Sequence, residues 1–263
     1  MSNNVFKFKQ FSVHHDQCAM KVGTDGVLLG AWSRGGKRLL DIGTGTGLIA
    51  MMMAQRFSEA EIVAIDIDEA ACLQAKENVA NSPFATRVRV VHTSLQQFDG
   101  ENCFDCIVSN PPFFVNSLPN PDEKRSVARH TTTLSYEALF TEVKRLLTET
   151  GRFSAIIPAE CQSGFVAEAT FMNLSLTRVC AVKTVERKPV KRFMLEFQKT
   201  GVSSNDMQTV CLMQQGERSD WYQRLTSICK FLLVFSCIIF FQTLFRFPFH
   251  FKHNTFFLHG LCW

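Results

Sequence analysis

The sequence predicts an α/β fold with a mostly parallel, seven-stranded sheet, a C-terminal antiparallel hairpin and helices on both faces. Short apolar runs alternate along the chain with longer segments whose apolar residues recur at helical spacing. The runs are almost continuously apolar, which is typical of parallel strands that are buried on both faces. Late in the chain, two apolar runs are separated only by residues 186–192. Because that gap is too short for a crossover helix, we expect these two strands to pair antiparallel.

The first half of the chain contains most of the predicted parallel strands. Strands are predicted at 38–42, 62–65, 88–91 and 106–108, with helices at 47–57 and 68–81. Asp68 is expected to cap the second helix by accepting a hydrogen bond from a backbone N–H, and Thr24 or Asp25 to cap a short helix before the first strand. Residues 5–13 are predicted to form a short strand or a lid.

The second half begins with a helix predicted over 135–147, where apolar residues recur at helical spacing. Gly151 is expected to end this helix. A strand at 153–157 and a helix at 159–171 follow, and then the hairpin strands at 174–185 and 193–197. Residues 207–213 are expected to add an edge strand.

The composition separates the last part of the chain from the rest. With 263 residues and 46% hydrophobic residues, the chain can fill the core of one domain, which we assign to residues 1–225. Residues 226–263 contain ten of the 25 phenylalanines, three basic residues and no acid. Their apolar run at 231–241 is shorter than the ~20 residues of a membrane span. We therefore predict an aberrant or weakly membrane-like tail and no membrane partner.

Charge and cysteine content exclude other classes of protein. Without the tail, 25 basic residues face 24 acidic ones, so any attraction to nucleic acid has to come from a local patch. Residues 1–11 do not resemble a signal peptide, and the ten cysteines are scattered, so no disulfide framework is expected. The pair Cys103 and Cys106 lacks the two further ligands that a zinc site needs, and no metal is predicted.

A glycine-rich turn follows the first predicted parallel strand. Asp41 lies at the end of that strand, and Gly43, Gly45 and Gly47 allow the backbone to turn tightly and approach a ligand closely. Asp66 ends the next strand, where its carboxylate can accept hydrogen bonds from ribose hydroxyls. This pattern predicts a nucleotide-like cofactor but does not distinguish a nicotinamide dinucleotide from S-adenosylmethionine.

A second motif, Asn110-Pro111-Pro112-Phe113, favours the methyl donor. An amine attached to an aromatic ring is a poor nucleophile, because its lone pair is delocalised. The Asn110 side-chain oxygen and the Pro111 carbonyl can accept its two N–H groups and favour a pyramidal nitrogen. The prolines make the loop rigid, and Phe113 can stack on the ring. Positioning and electrostatics can then carry a methyl transfer to nitrogen.

Several segments are similar to those of the bacterial tRNA1(Val) adenine-37 N6-methyltransferases. They lie at 8–11, 19–32, 110–113, 129–132 and 191–193, and the resemblance covers about residues 5–226. It implies a Rossmann-like class I methyltransferase fold in a cytoplasmic enzyme. The implied reaction is methylation of the adenine N6 next to the anticodon, with S-adenosyl-L-methionine as the donor.

The resemblance also implies residue roles. Asp41 and the three glycines would line the methionine side of the cofactor, and Asp66 would hold the ribose. The other cofactor contacts that it implies come from Lys21, Thr24, Asp25, Ile67, Ser94, Leu95 and Asn110. Contact with tRNA needs a basic surface, and the bases of an anticodon loop are already partly unpaired. The predicted RNA-binding residues follow the proline motif or lie on the hairpin: Lys124, Arg125, Arg129, Lys183, Arg187, Lys188, Lys191 and Arg192.

Three alternatives stay open at this point. A protein glutamine N5-methyltransferase could use the same Asn-Pro-Pro arrangement, because an amide nitrogen is delocalised in the same way. A binding module that lost catalysis and a nicotinamide dehydrogenase are the others, although no Tyr/Lys pair for hydride transfer is evident. No stable protein partner is inferred.

Overall fold

This computed structural model describes residues 4–16, 22–111, 134–201 and 206–229. In chain order, its strands are β1 Val5–Lys7, β2 Ser12–His14, β3 Arg38–Ile42, β4 Glu61–Asp66, β5 Val88–His92, β6 Phe104–Ser109, β7 Leu147–Pro158, β8 Ser175–Lys183, β9 Val190–Gln198, β10 Met207–Cys211, β11 Met213–Gln214 and β12 Glu217–Arg218. Its helices are α1 Thr24–Trp32, α2 Leu48–Arg56, α3 Glu69–Ala80, α4 Tyr136–Leu146, α5 Gln162–Phe171 and α6 Asp220–Thr226, with 3₁₀ turns at Leu95–Gln97 and Ala159–Cys161.

The central sheet has the spatial order β10-β8-β9-β7-β6-β3-β4-β5. Strands β5, β4, β3, β6 and β7 are parallel, and β9 pairs antiparallel with both β7 and β8. The predicted mostly parallel sheet with an antiparallel hairpin is therefore confirmed. The edge strand β10 pairs parallel with β8 and brings the sheet to eight strands, one more than predicted.

Helices cover both faces of the sheet. Neighbouring residues of β3 show this directly, since Leu39 packs in one buried cluster and Leu40 in another. The Leu39 cluster includes side chains of α1, α2, α3 and α6, and the Leu40 cluster those of α4 and α5. Such alternation is expected for strands buried on both sides.

The predicted helix ends are partly correct. Asp68 caps α3 by accepting a hydrogen bond from the Ala70 N–H at 2.9 Å. The prediction for α1 is wrong, because its N-cap is Gly23 and no side chain caps it. The prediction for Gly151 is also wrong, since α4 ends at Leu146 and β7 begins at Leu147. A Cβ on Gly151 would lie 2.8 Å from the Phe104 carbonyl oxygen, so this glycine permits close approach of two strands.

The N-terminal residues form the hairpin β1–β2, which is fastened to the glycine-rich turn by Asn78 of α3. The Asn78 amide nitrogen donates to the carbonyls of His14 and Thr46, both at 2.9 Å. The Asn78 oxygen accepts from the His14 N–H. This side chain thereby holds the turn that follows β3 against its neighbours.

The fold continues past the predicted domain boundary at residue 225. Helix α6 ends at Thr226, and Cys229 is buried in the same cluster as Leu39. The Gln55 side chain donates to the Ile228 carbonyl at 2.9 Å. Most of the predicted tail lies outside the described residues. Among the residues that are described, no helix is both long and apolar enough to cross a membrane.

Candidate active site

The turn between β3 and α2 has a left-handed backbone at three glycines. Gly43 has a φ of +70° and Gly47 a φ of +79°, values that residues with a side chain rarely adopt. A Cβ on Gly43 would meet nothing within 4 Å, so open space adjoins this glycine. A Cβ on Gly47 would lie 3.4 Å from the Cβ of Ala75, so Gly47 packs against α3. Gly43 therefore borders open space, and Gly47 allows the turn to pack.

Asp41 stabilises this turn through hydrogen bonds that its buried side chain accepts. The side chain is fully buried, and its Oδ2 accepts hydrogen bonds from the Thr44 hydroxyl at 2.7 Å and the Ala50 N–H at 3.1 Å. Its Oδ1 has no hydrogen-bond partner among the described residues. Burial raises the pKa of Asp41 to about 7, against the opposing effect of these two hydrogen bonds. In this structure Asp41 shapes the turn and has no exposed surface for ligand contact.

Asp66 joins the end of β4 to the same turn. Its Oδ2 accepts from the Gly45 N–H at 2.8 Å and its Oδ1 from the Asp68 N–H at 3.0 Å. The carboxylate is only partly buried, and each oxygen keeps a lone pair for a further donor. The next residue, Ile67, exposes 59% of its surface. An acceptor and an exposed apolar side chain thus lie side by side.

Ser94 and Leu95, two further predicted cofactor contacts, differ in accessibility. The Ser94 hydroxyl accepts from the Gln97 N–H at 3.3 Å and caps a 3₁₀ turn, and Leu95 is buried in the core. His92, which the sequence did not single out, places a ring nitrogen 3.0 Å from the Ile67 carbonyl oxygen. His92 thereby helps to position the exposed Ile67.

A cavity of about 580 Å³ adjoins the glycine-rich turn. Its described lining comes from the start of α1, the turn itself, the residues after β6, the facing ends of β8 and β9, and the β11–β12 hairpin. The lining residues that bear on function are Thr24, Asp25, Gly43, Gly45, Asn110, Pro111, Lys183, Lys191, Arg192 and Arg218. Members of all three predicted groups, cofactor-binding, catalytic and RNA-binding, thus meet in one cavity, whereas Asp41, Asp66, Ile67, Ser94 and Leu95 do not line it.

The pairing of β3 and β6 explains why Asn110 reaches the glycine-rich turn. Ser109 pairs with Ile42 in adjacent parallel strands, and the Ser109 hydroxyl donates to the Ile42 carbonyl at 3.0 Å. Asn110 and Gly43 are the next residues of the two strands, so they leave the sheet together. Pro111 is buried and Asn110 partly exposed at the cavity.

An ion pair connects α1 with the hairpin strand β9. The Arg192 Nε donates to the Asp25 Oδ2 at 2.7 Å, and the Arg192 Nη1 donates to the Lys191 carbonyl at 2.9 Å. Asp25 lies in the first turn of α1, where a negative charge also interacts favourably with the helix dipole. Arg192 is thereby held at the wall of the cavity.

The remaining predicted residues are distributed as follows. Lys183 donates to the Glu186 carbonyl at 3.1 Å, whereas Arg187 and Lys188 are exposed on the connection between β8 and β9 and do not line the cavity. Lys21, Pro112, Phe113, Lys124, Arg125 and Arg129 lie outside the described residues.

Arg218 is a cavity residue that was not predicted from the sequence. It ends β12, and its guanidinium carbon lies 4.6 Å from the centre of the Tyr222 ring. Gly216, with a φ of +88°, indicates a tight turn between two short polar runs. That signal predicts a hairpin but does not reveal which part of the fold the hairpin contacts.

The described cysteines are free thiols, and the described residues contain no cluster of metal ligands. Cys106 is buried, burial raises the pKa of its thiol to about 12, and its Sγ donates to the Arg34 carbonyl at 2.8 Å. Cys103 is a free thiol near the Glu101 carbonyl. No group of three His, Cys, Asp or Glu residues among those described could hold a metal ion.

The sheet order and the glycine-lined cavity define a class I S-adenosylmethionine-dependent methyltransferase. Residues 22–181 match the family model described as the methyltransferase small domain. A solved structure from Agrobacterium tumefaciens, titled a predicted O-methyltransferase, has the same fold at 14% identity and a TM-score of 0.60. The match covers 78% of this chain and 96% of that one.

Two curated bacterial proteins resemble the chain more closely in sequence. One from Parabacteroides distasonis is 46% identical and covers 88% of this chain and 98% of its own length. One from Bacteroides thetaiotaomicron is also 46% identical, with 86% and 97% covered. Both are named tRNA1(Val) (adenine(37)-N6)-methyltransferase, and this chain belongs to that family.

Proposed function

We propose that this protein transfers a methyl group from S-adenosyl-L-methionine to the exocyclic N6 of adenine 37, next to the anticodon of valine tRNA. The observation that carries the proposal is the position of Asn110 and Pro111 in the same cavity as Gly43 and Gly45. The named relatives support the tRNA substrate and lend no support to the glutamine alternative. We place the protein in the cytoplasm, and its methyltransferase domain in residues 1–225 together with the packed residues up to 229.

The described residues fit the cofactor. Open space adjoins Gly43, so the backbone there can approach a ligand without hindrance. The Asp66 carboxylate keeps acceptor capacity for the ribose hydroxyls, and the exposed Ile67 offers an apolar contact for the adenine. Asp41 contributes to cofactor binding indirectly, because its hydrogen bonds hold the turn in shape. When bound, S-adenosyl-L-methionine supplies an electrophilic methyl group on a sulfonium.

Asn110 and Pro111 orient the acceptor nitrogen. Their side-chain and backbone oxygens accept hydrogen bonds from the two N6 hydrogens, which favours the pyramidal form with an available lone pair. Proline fixes φ, so these acceptors are positioned before the substrate arrives. The methylated nitrogen is acidic and loses its proton after the transfer. We also propose that the Phe113 ring stacks on the adenine.

The charge at the cavity favours an anionic substrate. Among its described lining residues, four cations face one carboxylate, that of Asp25. Lys183, Lys191 and Arg192 contribute three of these cations, and Arg187 and Lys188 extend the basic surface outside the cavity. Positive charge at such a site attracts the phosphate backbone without reading its sequence. We also keep Lys124, Arg125 and Arg129 as proposed RNA contacts.

Methyl transfer with purified protein tests the proposed function. Labelled S-adenosyl-L-methionine is incubated with valine tRNA transcript, with the same tRNA carrying guanine at position 37, and with a release-factor protein. We expect N6-methyladenosine, identified by nucleoside mass spectrometry, only in the first sample. Methylation of the guanine-37 tRNA at another adenine, or of the protein alone, would overturn the assignment.

A further inference from the structure

Arg218 occupies a position between two concave surfaces. It lines the cavity that contains Asn110, and it also lines an outer groove between the β8–β9 connection and the β11–β12 hairpin. Because Arg218 ends β12, its backbone is part of a two-stranded ribbon whose register pairs Met213 with Arg218. Arg218 therefore lies at the border between the cavity and this groove.

The hairpin that carries Arg218 is firmly attached. The Ser219 N–H donates to the Leu212 carbonyl at 3.0 Å, and the Ser219 hydroxyl donates to the Cys211 carbonyl at 2.5 Å. The same hydroxyl accepts from the Tyr222 N–H at 3.1 Å. Tyr222 is buried, and its ring supports the guanidinium of Arg218. A guanidinium held over an aromatic ring can still donate its N–H groups to a ligand.

Two of the other three cations of the cavity have described partners, whereas Lys191, like Arg218, forms no ion pair in the described part of the chain. Arg192 is paired with Asp25, and Lys183 donates to the Glu186 carbonyl. Within the part of the chain that the structure describes, Arg218 forms no ion pair with a carboxylate. Its charge is therefore not matched by a described partner.

The charges around Arg218 favour one of its two sides. The outer groove contains the carboxylates of Glu186, Glu217 and Asp220 against two arginines. The cavity side contains one carboxylate against four cations. A phosphate is therefore attracted more strongly to the cavity side of Arg218 than to the groove side.

We infer that Arg218 is a substrate-positioning residue that binds a backbone phosphate of the RNA strand beside the target adenine. This inference rests on the proposed function. The planar guanidinium suits a phosphate, because two parallel N–H donors can contact two of its oxygens. Held by Tyr222 and the hairpin, Arg218 fixes the strand at one point, while Asn110 receives the base.

Affinity for RNA, measured over a range of salt concentrations, tests this role. The full-length wild type is compared with Arg218→Ala, Arg218→Lys and the matched control Arg224→Ala, whose arginine is exposed on α6 and lines neither surface. We expect Arg218→Ala to bind a valine anticodon stem-loop about fivefold more weakly. Its slope of log affinity against log salt should be smaller by about 0.7, the value for one lost single-strand phosphate contact. Arg218→Lys should keep the slope but lose part of the affinity, and the control should bind as the wild type does.

Cofactor binding distinguishes this role from the alternative that Arg218 contacts the cofactor. Calorimetry with S-adenosylhomocysteine should give the same affinity for Arg218→Ala as for the wild type. Reduced cofactor affinity with unchanged RNA affinity would overturn the inference, because Arg218 would then hold the cofactor carboxylate. Unchanged RNA affinity and salt slope would overturn it as well. If the wild type does not methylate tRNA, the proposed function itself fails, and the two failures are distinguishable.

Discussion

The carboxylate of Asp25 lies 2.7 Å from the Nε of Arg192 and joins the first turn of α1 to strand β9. The two residues are 167 positions apart in the sequence. One was expected at the cofactor and the other at the RNA. Because both line the cavity, their ion pair connects the wall beside the glycine-rich turn to the basic hairpin.

Breaking the Asp25–Arg192 ion pair should lower the catalytic activity clearly but the free energy of unfolding only slightly. Both side chains are partly exposed, so we expect Asp25→Asn to lower the free energy of unfolding by only about 0.2–1 kcal/mol. Arg192 then loses its fixed position, and kcat/KM for tRNA should fall about tenfold. Denaturant unfolding and steady-state kinetics measure the two effects.

A matched control is available at the Lys199–Glu149 pair, which has a separation of 3.2 Å and does not line the cavity. Glu149→Gln should leave both the stability and the kinetics close to those of the wild type. If Asp25→Asn loses activity only in proportion to its unfolded fraction, the ion pair has no positioning role.

Two glycines of the same turn should respond differently to alanine. Both have positive φ, so Gly43→Ala and Gly47→Ala should each destabilise the fold by about 1–2 kcal/mol. Only Gly43 adjoins open space at the cavity, so only Gly43→Ala should also weaken S-adenosylhomocysteine binding. Calorimetry measures that affinity.

Gly216→Ala serves as the control for backbone strain, because Gly216 has a φ of +88° but lies in the β11–β12 turn. It should lose stability without losing cofactor affinity. Equal losses of cofactor affinity in all three variants would refute the assignment of Gly43 to the cofactor site.

The burial of Asp41 predicts a dependence of stability on pH. Burial raises its pKa from the ordinary value of 3.8 to about 7, so between these values the folded state binds more protons at this site than the unfolded state does. The Asp41 contribution to folding stability therefore decreases as the pH rises from about 4 to about 7, and it is constant above that range.

Asp41→Asn isolates this contribution, because an amide oxygen can still accept from Thr44 and Ala50 but does not titrate. Between pH 5 and 8, the stability of the wild type should fall relative to that of the variant. Denaturant titrations at each pH measure the difference, and parallel curves for the two proteins would count against a raised pKa at Asp41.

Much of the fold and part of the site follow from local patterns in the sequence. Buried strands that end in Asp41, Asp66 and Asn110 predict a shared sheet edge, because parallel strands have their carboxyl ends on the same side. The pairing of Ser109 with Ile42 realises that expectation. The short gap at residues 186–192 likewise predicts the antiparallel hairpin.

Other features depend on tertiary contacts that no local pattern contains. Gly151 resembles a helix end, but its place is set by the Phe104 carbonyl of the neighbouring strand. Thr24 and Asp25 resemble helix caps, but Asp25 pairs with a distant arginine. Arg218 lies in a two-residue strand without any periodic signal, and its approach to the cavity follows from the attachment of its hairpin.

Asn110→Ala tests the central claim most directly. Methylation of valine tRNA and S-adenosylhomocysteine affinity are measured for the same preparation, with Asn81→Ala as the control, because Asn81 is exposed at the end of α3. We expect the variant to lose at least about 10²-fold in kcat, as for loss of a preorganised polar group, with the cofactor affinity almost unchanged. Near-normal methylation by a folded Asn110→Ala protein would contradict the proposal that this residue orients the acceptor nitrogen.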